Sequence, residues 1–273
     1  MRIPTTSPVV VGVDGTAAGL AAVRFGAREA VSRGRLLRIV HAFTWAGESQ
    51  SRSAAEDLLA EATATAQRST PGVRVDPQLV DGPADRVLIQ LSRTAELVVV
   101  GNAVPDSSVL VHVVARAFCP VVVARGPRPP SGPVVAAVDG SPWSVQGLRL
   151  AAIEARRRGI GVEAVHVVSR AGYRAEDQGR AILAAAVAAV PELRRARSRL
   201  LSGVPGPALA RASARARILV LGPRGTSGAA MLGSVARHLL RQGACPTVFV
   251  HGPALPAPPT PARAARSSNA LAG

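Results

Sequence analysis

The residue types best suited to chemistry lie between Gly222 and Val235, where four glycines precede a serine. Glycine lets backbone amides approach a phosphate without side-chain interference, and the amino end of a helix adds partial positive charge. Arg224 offers a countercharge, and Ser234 can cap the following helix and donate its hydroxyl to an anion. The segment therefore predicts phosphate binding, although a glycine-rich turn also occurs as a plain connection between a strand and a helix.

The sequence does not indicate a catalytic centre. The five histidines are scattered, and none forms a recognisable local motif with a Cys, Asp or Glu. His41 and His166 occupy corresponding strand ends in an internal repeat, which indicates a shared structural position. Cys119 and Cys245 lack the spacing of a metal or redox motif, so we expect both to be small buried hydrophobic residues. We therefore expect a protein that is neither an enzyme nor a holder of its own metal site.

The chain contains an internal repeat in three segments that keep their order. Each first-half segment has a counterpart in the second half: 8–16 with 133–141, 96–101 with 217–222, and 107–123 with 233–249. Pro and Gly between the halves predict a stiff linker. The expected organisation is an amino-terminal extension at 1–7, a first domain at 8–125, a linker at 126–132, a second domain at 133–251 and a disordered tail at 252–273.

Each half alternates short β-branched runs with longer segments of helical periodicity, which is typical of βαβ units on a parallel sheet. Gly34 is expected to end the first helix, and Ser53 with Glu56 predicts a capping box at the second. Continuous Val, Ile and Leu runs favour strands covered on both faces. The predicted strands lie near 8–13, 36–43, 73–80, 97–101 and 120–124, and then near 133–138, 161–168, 198–202, 217–222 and 246–250.

Three strand-to-helix turns of the second half are the expected place for a ligand, because open parallel sheets bind ligands at the carboxyl ends of their strands. These turns follow Val138, Val168 and Leu221. The motifs Val138-Asp139-Gly140-Ser141, His166-Val167, and Gly222-x-x-Gly225 followed by Gly233-Ser234-Val235 together resemble the universal stress protein family. The resemblance covers both halves.

The resemblance implies a fold and a ligand. The fold is α/β, with two tandem doubly wound parallel five-stranded sheets of strand order 3-2-1-4-5, each a Rossmann-like three-layer sandwich. The implied cofactor is ATP, with or without Mg²⁺, held near the strand ends at Val138 and Leu221. By this resemblance Asp139 faces the adenosine and Val167 lines the adenine pocket, while the ribose and phosphate contacts come from Gly222, Gly225, Gly233, Ser234 and Val235. Arg224 is added to this predicted site for its charge alone.

Both halves depart from the family's glycine pattern, in which nine residues separate the second and third glycines. In the second half only Thr226 to Leu232 lie between Gly225 and Gly233, so the phosphate loop is shorter. In the first half Val104 and Ser107 replace the second and third glycines, and Asp106 adds a negative charge that repels phosphate. We therefore predict that the first half binds ATP weakly or not at all.

The charge and composition narrow the range of partners. The formal net charge is +16, every basic residue is Arg, and aromatic residues make up only 3% of the chain. A surface this basic attracts nucleic acid without specificity, but no nucleic-acid-binding motif is present, so we expect no specific nucleic-acid partner. The Arg-rich segment 192–199 is most simply a solvated face, with binding to an anionic partner as the alternative. Without a signal peptide or an apolar span, we expect a cytoplasmic protein with no membrane contact.

The resemblance favours a stress regulator that binds ATP in its second half and signals through protein contacts. A scaffold that binds no nucleotide is the alternative. In relatives the fifth strands pair across a twofold axis, so Val121–Val123 and Val248–Val250 are expected to join the two halves, and a homodimer of the whole chain is left open.

Overall fold

The computed structural model describes residues 7–44, 51–105, 107–126, 131–169, 172–222 and 232–251. The extension, most of the linker, the tail, and the predicted site residues Arg224 and Gly225 lie outside these ranges. The first half has the order β1 Val9–Gly12, α1 Ala17–Arg33, β2 Leu37–Phe43, α2 Arg52–Ser69, β3 Val75–Asp81, α3 Ala84–Leu91, β4 Leu97–Val100, α4 Ser108–Arg116 and β5 Val121–Val123.

The second half repeats this order of strands and helices. Its elements are β6 Val134–Ala137, α5 Pro142–Arg158, β7 Val162–Val168, α6 Tyr173–Ala188, a short 3₁₀ turn Pro191–Leu193, β8 Arg197–Ser202, α7 Pro205–Ser213, β9 Ile218–Leu221, α8 Ser234–Gln242 and β10 Thr247–Phe249. The α/β alternation expected from the sequence is therefore confirmed.

All the strands belong to one ten-stranded sheet of order β3-β2-β1-β4-β5-β10-β9-β6-β7-β8. Each half has the expected order 3-2-1-4-5, and every pairing within a half is parallel. The fifth strands join the halves in antiparallel register, with Val122 opposite Val248. The two expected sheets are thus continuous through the predicted pairing of β5 with β10.

The inner strands are largely buried on both faces, as the continuous apolar runs predict, whereas the edge strands β3 and β8 are partly exposed. In β1, Val9 and Val11 face one hydrophobic layer and Val10 faces the other, and all three are fully buried. Helices α1, α2, α5 and α6 cover the first layer, while α3, α4, α7 and α8 cover the second. Fully burying such a side chain contributes about 2 kcal/mol, so this repeated apolar pattern is the main determinant of the three-layer arrangement.

The observed ends of the helices agree with the sequence at one position and differ from it at another. Gly34 ends α1 in the left-handed conformation with φ of 63°, as expected. The predicted capping box at Ser53 and Glu56 is wrong, because the cap of α2 lies two residues earlier: the Ser51 side chain accepts the amide of Ala54 at 3.1 Å. Ser53 therefore lies within the first turn of α2 and is not its capping residue.

Both cysteines are buried, as expected. Burial raises the pKa of Cys119 and of Cys245 to about 12, so neither thiol is ionised near neutral pH. Since the thiolate is the reactive form, both residues act as small hydrophobic side chains.

A buried ion cluster joins α1 to α5 across the pseudo-twofold axis. Glu29 and Arg33 are four residues apart on α1, and Glu154 and Arg158 have the same spacing on α5. Each arginine pairs with the glutamate of its own helix and with that of the other, and Arg33 lies 2.6 Å from Glu154. Glu96 adds a contact of 3.0 Å to Arg33. This ion cluster holds the two halves together on one face of the sheet.

The charges in the ion cluster depend on one another. Burial alone would raise the pKa of Glu154, but the positive charges of Arg33 and Arg158 and a hydrogen bond from Arg158 outweigh it, so that pKa is lowered. Burial likewise opposes ionisation of Glu96, and hydrogen bonds from Arg35 and Arg33 lower its pKa. Glu154 and Glu96 are therefore charged in the folded protein because the arginines are present.

Replacing Glu154 by Gln should lower the free energy of unfolding by about 3 kcal/mol, because Arg33 and Arg158 would keep their buried charges with one carboxylate fewer. Urea unfolding at neutral pH measures the change. The control is Glu176→Gln, which removes an exposed pair with Arg180 and should cost no more than about 0.5 kcal/mol. Equal losses in the two variants would contradict a structural role for the ion cluster.

The ion cluster should also make stability depend on pH. The folded pKa of Glu154 lies below its ordinary value of 4.5, so its contribution is present above that pH and is lost as the pH falls through the folded pKa. The unfolding free energy of the unmodified protein should therefore decrease below about pH 4.5, and that of Glu154→Gln should decrease less steeply. Urea titrations across this range compare the two slopes, and parallel slopes would count against the assignment.

Candidate functional site

A cavity of about 260 Å³ opens at the carboxyl ends of β6, β7 and β9. The winding of the second half reverses between β6 and β9, which is where open α/β sheets bind ligands. Eight of the ten residues predicted from the sequence line this cavity: Val138, Asp139, Val167, Leu221, Gly222, Gly233, Ser234 and Val235.

Asp139 shapes the turn that follows β6. Gly140 has φ of 82°, a left-handed conformation that favours glycine, and it lets the chain fold back on itself. Asp139 Oδ1 then accepts the amide of Ser141 at 2.9 Å and its hydroxyl at 2.5 Å. Ser141 in turn caps α5 by accepting the amide of Ser144 at 3.2 Å. Asp139 therefore helps to start α5 while lining the cavity.

The first half contains the same turn. Asp14 Oδ1 accepts the amide of Thr16 at 3.1 Å and its hydroxyl at 2.6 Å, and Thr16 caps α1. Gly15 has φ of 78°. The Asp-Gly-Ser/Thr motif therefore has a structural role in both halves, whatever the ligand at either cavity.

His166 lines the cavity at the end of β7 and was not among the predicted contacts. Its Nδ1 lies 2.7 Å from the carbonyl oxygen of Val138. A carbonyl can only accept, so Nδ1 donates and Nε2 is an acceptor in the neutral ring. His41 makes the equivalent contact to Val13 at 2.9 Å, which confirms the shared structural position expected for the two histidines.

The amino end of α8 borders the cavity without a side-chain cap. Gly233 is the capping residue, with φ of −66° and ψ of 157°, and within the described ranges no side chain caps the helix by a hydrogen bond. The prediction that Ser234 caps this helix is wrong, because Ser234 is its first helical residue. A glycine cap leaves the first amides of the helix available to another acceptor, and the helix dipole favours an anion.

The corresponding helix of the first half has a different amino end. Ser107 caps α4, and its hydroxyl accepts the amide of Leu110 at 3.2 Å. Ser107, which replaces the family's third glycine, thus accepts a hydrogen bond from a helix amide. The capping residue of α8, a glycine, has no side chain to accept the equivalent bond. The two equivalent helix ends therefore differ in the number of amides left to an external acceptor.

Helix α7 supplies two cavity residues that sequence reasoning missed, Pro205 and Leu209. They follow β8, whose sequence Arg197–Ser202 has few apolar residues, so the sequence did not place the next helix at the cavity. Pro205 at the first helical position was a usable signal for that helix start. Trp143 is half-buried near the start of α5 and does not line the cavity.

The first half has a cavity of the same size, about 260 Å³, at the corresponding strand ends. Its walls are mainly aliphatic, with Leu88, Val100, Val109 and Leu110, and Val104 lies exposed at its rim. Asp106 lies outside the described residues. The size of the cavity is therefore retained in this half, while its walls offer little to a phosphate.

A further pair of titratable groups, His112 and Asp85, lies outside both cavities. His112 Nδ1 lies 2.8 Å from Asp85 Oδ2, and the hydrogen bond lowers the pKa of Asp85. The pair is partly exposed between α3 and α4. Among the described residues there is no group of three His, Cys, Asp or Glu side chains that could hold a metal, and no helix long and apolar enough to cross a membrane.

The role of Asp139 in the turn can be tested by substitution. Asp139→Ala removes the acceptor for two hydrogen bonds and should lower the free energy of unfolding by about 1 kcal/mol. Asp139→Asn retains an Oδ1 acceptor and should cost much less. Urea unfolding compares the two variants, and an equal loss would show that the charge of Asp139, rather than its hydrogen bonds, supports the turn.

Comparison with known proteins identifies the family. The model of the universal stress protein family matches residues 5–125 and 131–251. A universal stress protein of Mycobacterium tuberculosis is 28% identical over 312 residues, covering 93% of this chain and 98% of that protein. One from Mycolicibacterium smegmatis is 29% identical over 284 residues, covering 89% and 96%.

Solved structures agree with this assignment at the level of the fold. The crystal structure of a universal stress protein from Archaeoglobus fulgidus has a TM-score of 0.70 at 16% identity, covering 92% of this chain and 98% of that one. A putative universal stress protein from Pseudomonas aeruginosa has a TM-score of 0.63 at 17% identity, covering 90% and 93%. With both halves matched by the family and one fold repeated along the sheet, this chain belongs to the universal stress protein family as a tandem member.

Proposed function

We propose that the second half binds ATP in the cavity at β6, β7 and β9, and that the protein is a nucleotide-dependent regulator that acts through contacts with other proteins. The observation that carries the proposal is the amino end of α8, which reaches the cavity with Gly233 as its cap and no side-chain acceptor. Family membership supports the same ligand class, because the sequence motifs resemble those of nucleotide-binding members.

The phosphates would lie at Gly233, Ser234 and Val235. There the first amides of α8 and the hydroxyl of Ser234 are available as donors, and the helix dipole adds a favourable field. Arg224 belongs to the adjoining glycine-rich segment and would supply a countercharge. A Mg²⁺ ion would be bound mainly by the phosphates and water, as is usual for this cation.

The adenosine would lie between the strand ends and α7. Val167, Pro205 and Leu209 offer apolar contacts to the base, while Asp139 and Gly222 border the site where the ribose would extend towards α8. The Nε2 acceptor of His166 could receive a hydrogen bond from the exocyclic amine of adenine. This arrangement combines apolar walls with few polar groups, as small-molecule sites commonly do.

The proposal gives one nucleotide site per chain and no catalysis. In the first half Ser107 already satisfies a helix amide, and the cavity walls are aliphatic. In the second half Asp139 is the only carboxylate among the described lining residues, so they include no carboxylate pair, and its Oδ1 already accepts two hydrogen bonds from Ser141. The expected consequence of binding is therefore a change of stability or surface, not turnover.

A scaffold that binds no nucleotide is the second candidate. The continuous ten-stranded sheet favours it, because the joined halves form a large rigid body whether or not a ligand is present. The two candidates differ in their response to ATP.

Gly233→Ser should separate ligand binding from folding. The new hydroxyl copies Ser107 and would accept a helix amide, so it should leave stability unchanged or slightly raised while competing with the phosphates. Calorimetric titration with Mg²⁺ and ATP should show one site in the unmodified protein and about tenfold weaker binding in the variant, the effect of losing one charge-assisted hydrogen bond.

The matched control is Ser107→Gly, which alters the equivalent helix end of the first half. It should leave the ATP affinity unchanged, because that half is not the proposed site. Absence of saturable binding in the folded unmodified protein would contradict the proposal and favour the scaffold. Equal weakening by both substitutions would place the ligand elsewhere.

A further inference from the structure

The positive charge of the protein is concentrated in its second half. Residues 133–251 contain 17 Arg and 6 Asp or Glu, whereas residues 8–125 contain 12 Arg and 11 Asp or Glu. The two halves share one fold, so this asymmetry is not a requirement of the architecture. It marks the second half as the one that attracts an anionic partner.

Strand β8 forms the outer edge of the sheet in that half. Its inner side pairs with β7, and the ladder ends with Gly203 donating to the carbonyl of Val168 at 3.0 Å. Backbone groups alternate in direction along a strand, so those of Ser198, Leu200 and Ser202 point away from β7. No strand in the described part of the chain pairs with them, and Ser198 and Ser202 are exposed.

The opposite edge, β3, is protected where β8 is not. Leu79 pairs with His41 and Leu200 with His166, so the two edge strands are in equivalent register. In that register Pro77 corresponds to Ser198, and proline removes an outward donor from the edge. Asp76 and Asp81 make β3 acidic, whereas the residues at their positions in β8 are Arg197 and Ser202. One edge thus resists strand addition and the other permits it.

A basic groove runs beside β8. It has a volume of about 300 Å³ and lies between β8 and α7, with Arg199, Arg211 and Arg215 among its lining residues. Glu163 pairs with Arg199 at 2.9 Å. Among the described residues no carboxylate lies within ion-pair distance of Arg197, Arg211 or Arg215. The groove therefore combines a free strand edge with the guanidinium groups of Arg211 and Arg215, which have no carboxylate partner in the part of the chain that the structure describes.

We propose that β8 is a docking edge for an acidic, extended peptide segment of a partner protein, which adds to the sheet as an eleventh strand. The main chain of the segment would pair with Ser198, Leu200 and Ser202. Carboxylates at alternate positions would project towards α7 and pair with Arg211 and Arg215, because side chains on one face of a strand recur at every second residue.

The strand edge distinguishes this occupant from two others. A nucleic acid would use the arginines but not the outward amides and carbonyls, and it would find few aromatic side chains for base stacking. A second copy of the chain would have to offer β3, where Pro77 interrupts the donors, or a second β8, whose arginines would repel the first. The proposal does not depend on nucleotide binding, since the groove and the ATP cavity are separate.

The test uses a fluorescent octapeptide of alternating Asp and Val, with binding to the full chain measured by anisotropy. Ser198→Pro copies Pro77, removes one outward donor and leaves the charge unchanged, so it should weaken binding at least tenfold. Ser198→Ala keeps the donor and should bind within about twofold of the unmodified protein. Arg211→Gln with Arg215→Gln should also weaken binding and reduce its dependence on salt.

A second probe keeps the test valid if Ser198→Pro perturbs the fold. The same peptide with alternate N-methylated amides retains its charge but cannot pair along one side, so it should bind the unmodified protein at least tenfold more weakly. Equal binding of the two peptides would overturn strand addition, as would an unaltered affinity in a folded Ser198→Pro variant. If a single-stranded oligonucleotide binds more tightly than the peptide and Ser198→Pro does not change that affinity, the surface would be a nucleic-acid site instead. If light scattering without peptide shows a molar mass that rises with protein concentration, self-association would replace peptide docking as the explanation.

Discussion

The antiparallel pairing of β5 with β10 is the interaction on which the rest of the structure depends. It covers two apolar edge strands and makes the sheet continuous, with Val122 and Val248 buried at the junction. It also brings α1 against α5, where the charges of Glu29 and Arg158 are neutralised across the axis. The strands of the two halves run in opposite directions, so the carboxyl ends that form the two cavities lie on opposite sides of the molecule. The cavities therefore cannot share one ligand.

Within this symmetric frame, small changes give the halves different chemistry. Ser107 and Gly233 are the capping residues of equivalent helices. The Ser107 hydroxyl accepts a hydrogen bond from a helix amide, whereas Gly233 has no side chain to do so. Pro77 and Ser198 stand at equivalent edge positions, yet one blocks a strand edge and the other leaves it open. Helix α7 connects the two proposed surfaces, since Pro205 and Leu209 line the cavity and Arg211 lines the groove.

Much of the fold could be predicted from the sequence because it is encoded locally and twice. The Val-rich runs and the repeat predicted the strands and the two halves, while the strand order and the joining of the fifth strands followed from the family resemblance. The contacts of Glu29 with Arg158 could not be predicted, since they depend on how helices distant in sequence meet. At the site, the residues at the strand ends were predicted from motifs. Leu209 was not predicted, because it lies on the helix that follows β8, a strand with a weak apolar pattern. The start of α8 at Ser234 was misplaced because a glycine cap carries no side-chain signal.

The central claim is that an adenine nucleotide is held at the amino end of α8 and not at that of α4. The most direct measurement follows backbone amide resonances by NMR during titration with Mg²⁺ and ATP. The account predicts saturable shifts of Ser234, Val235 and Ala236, with Ser108, Val109 and Leu110 unmoved. Shifts confined to the second group, or none in either group, would contradict it.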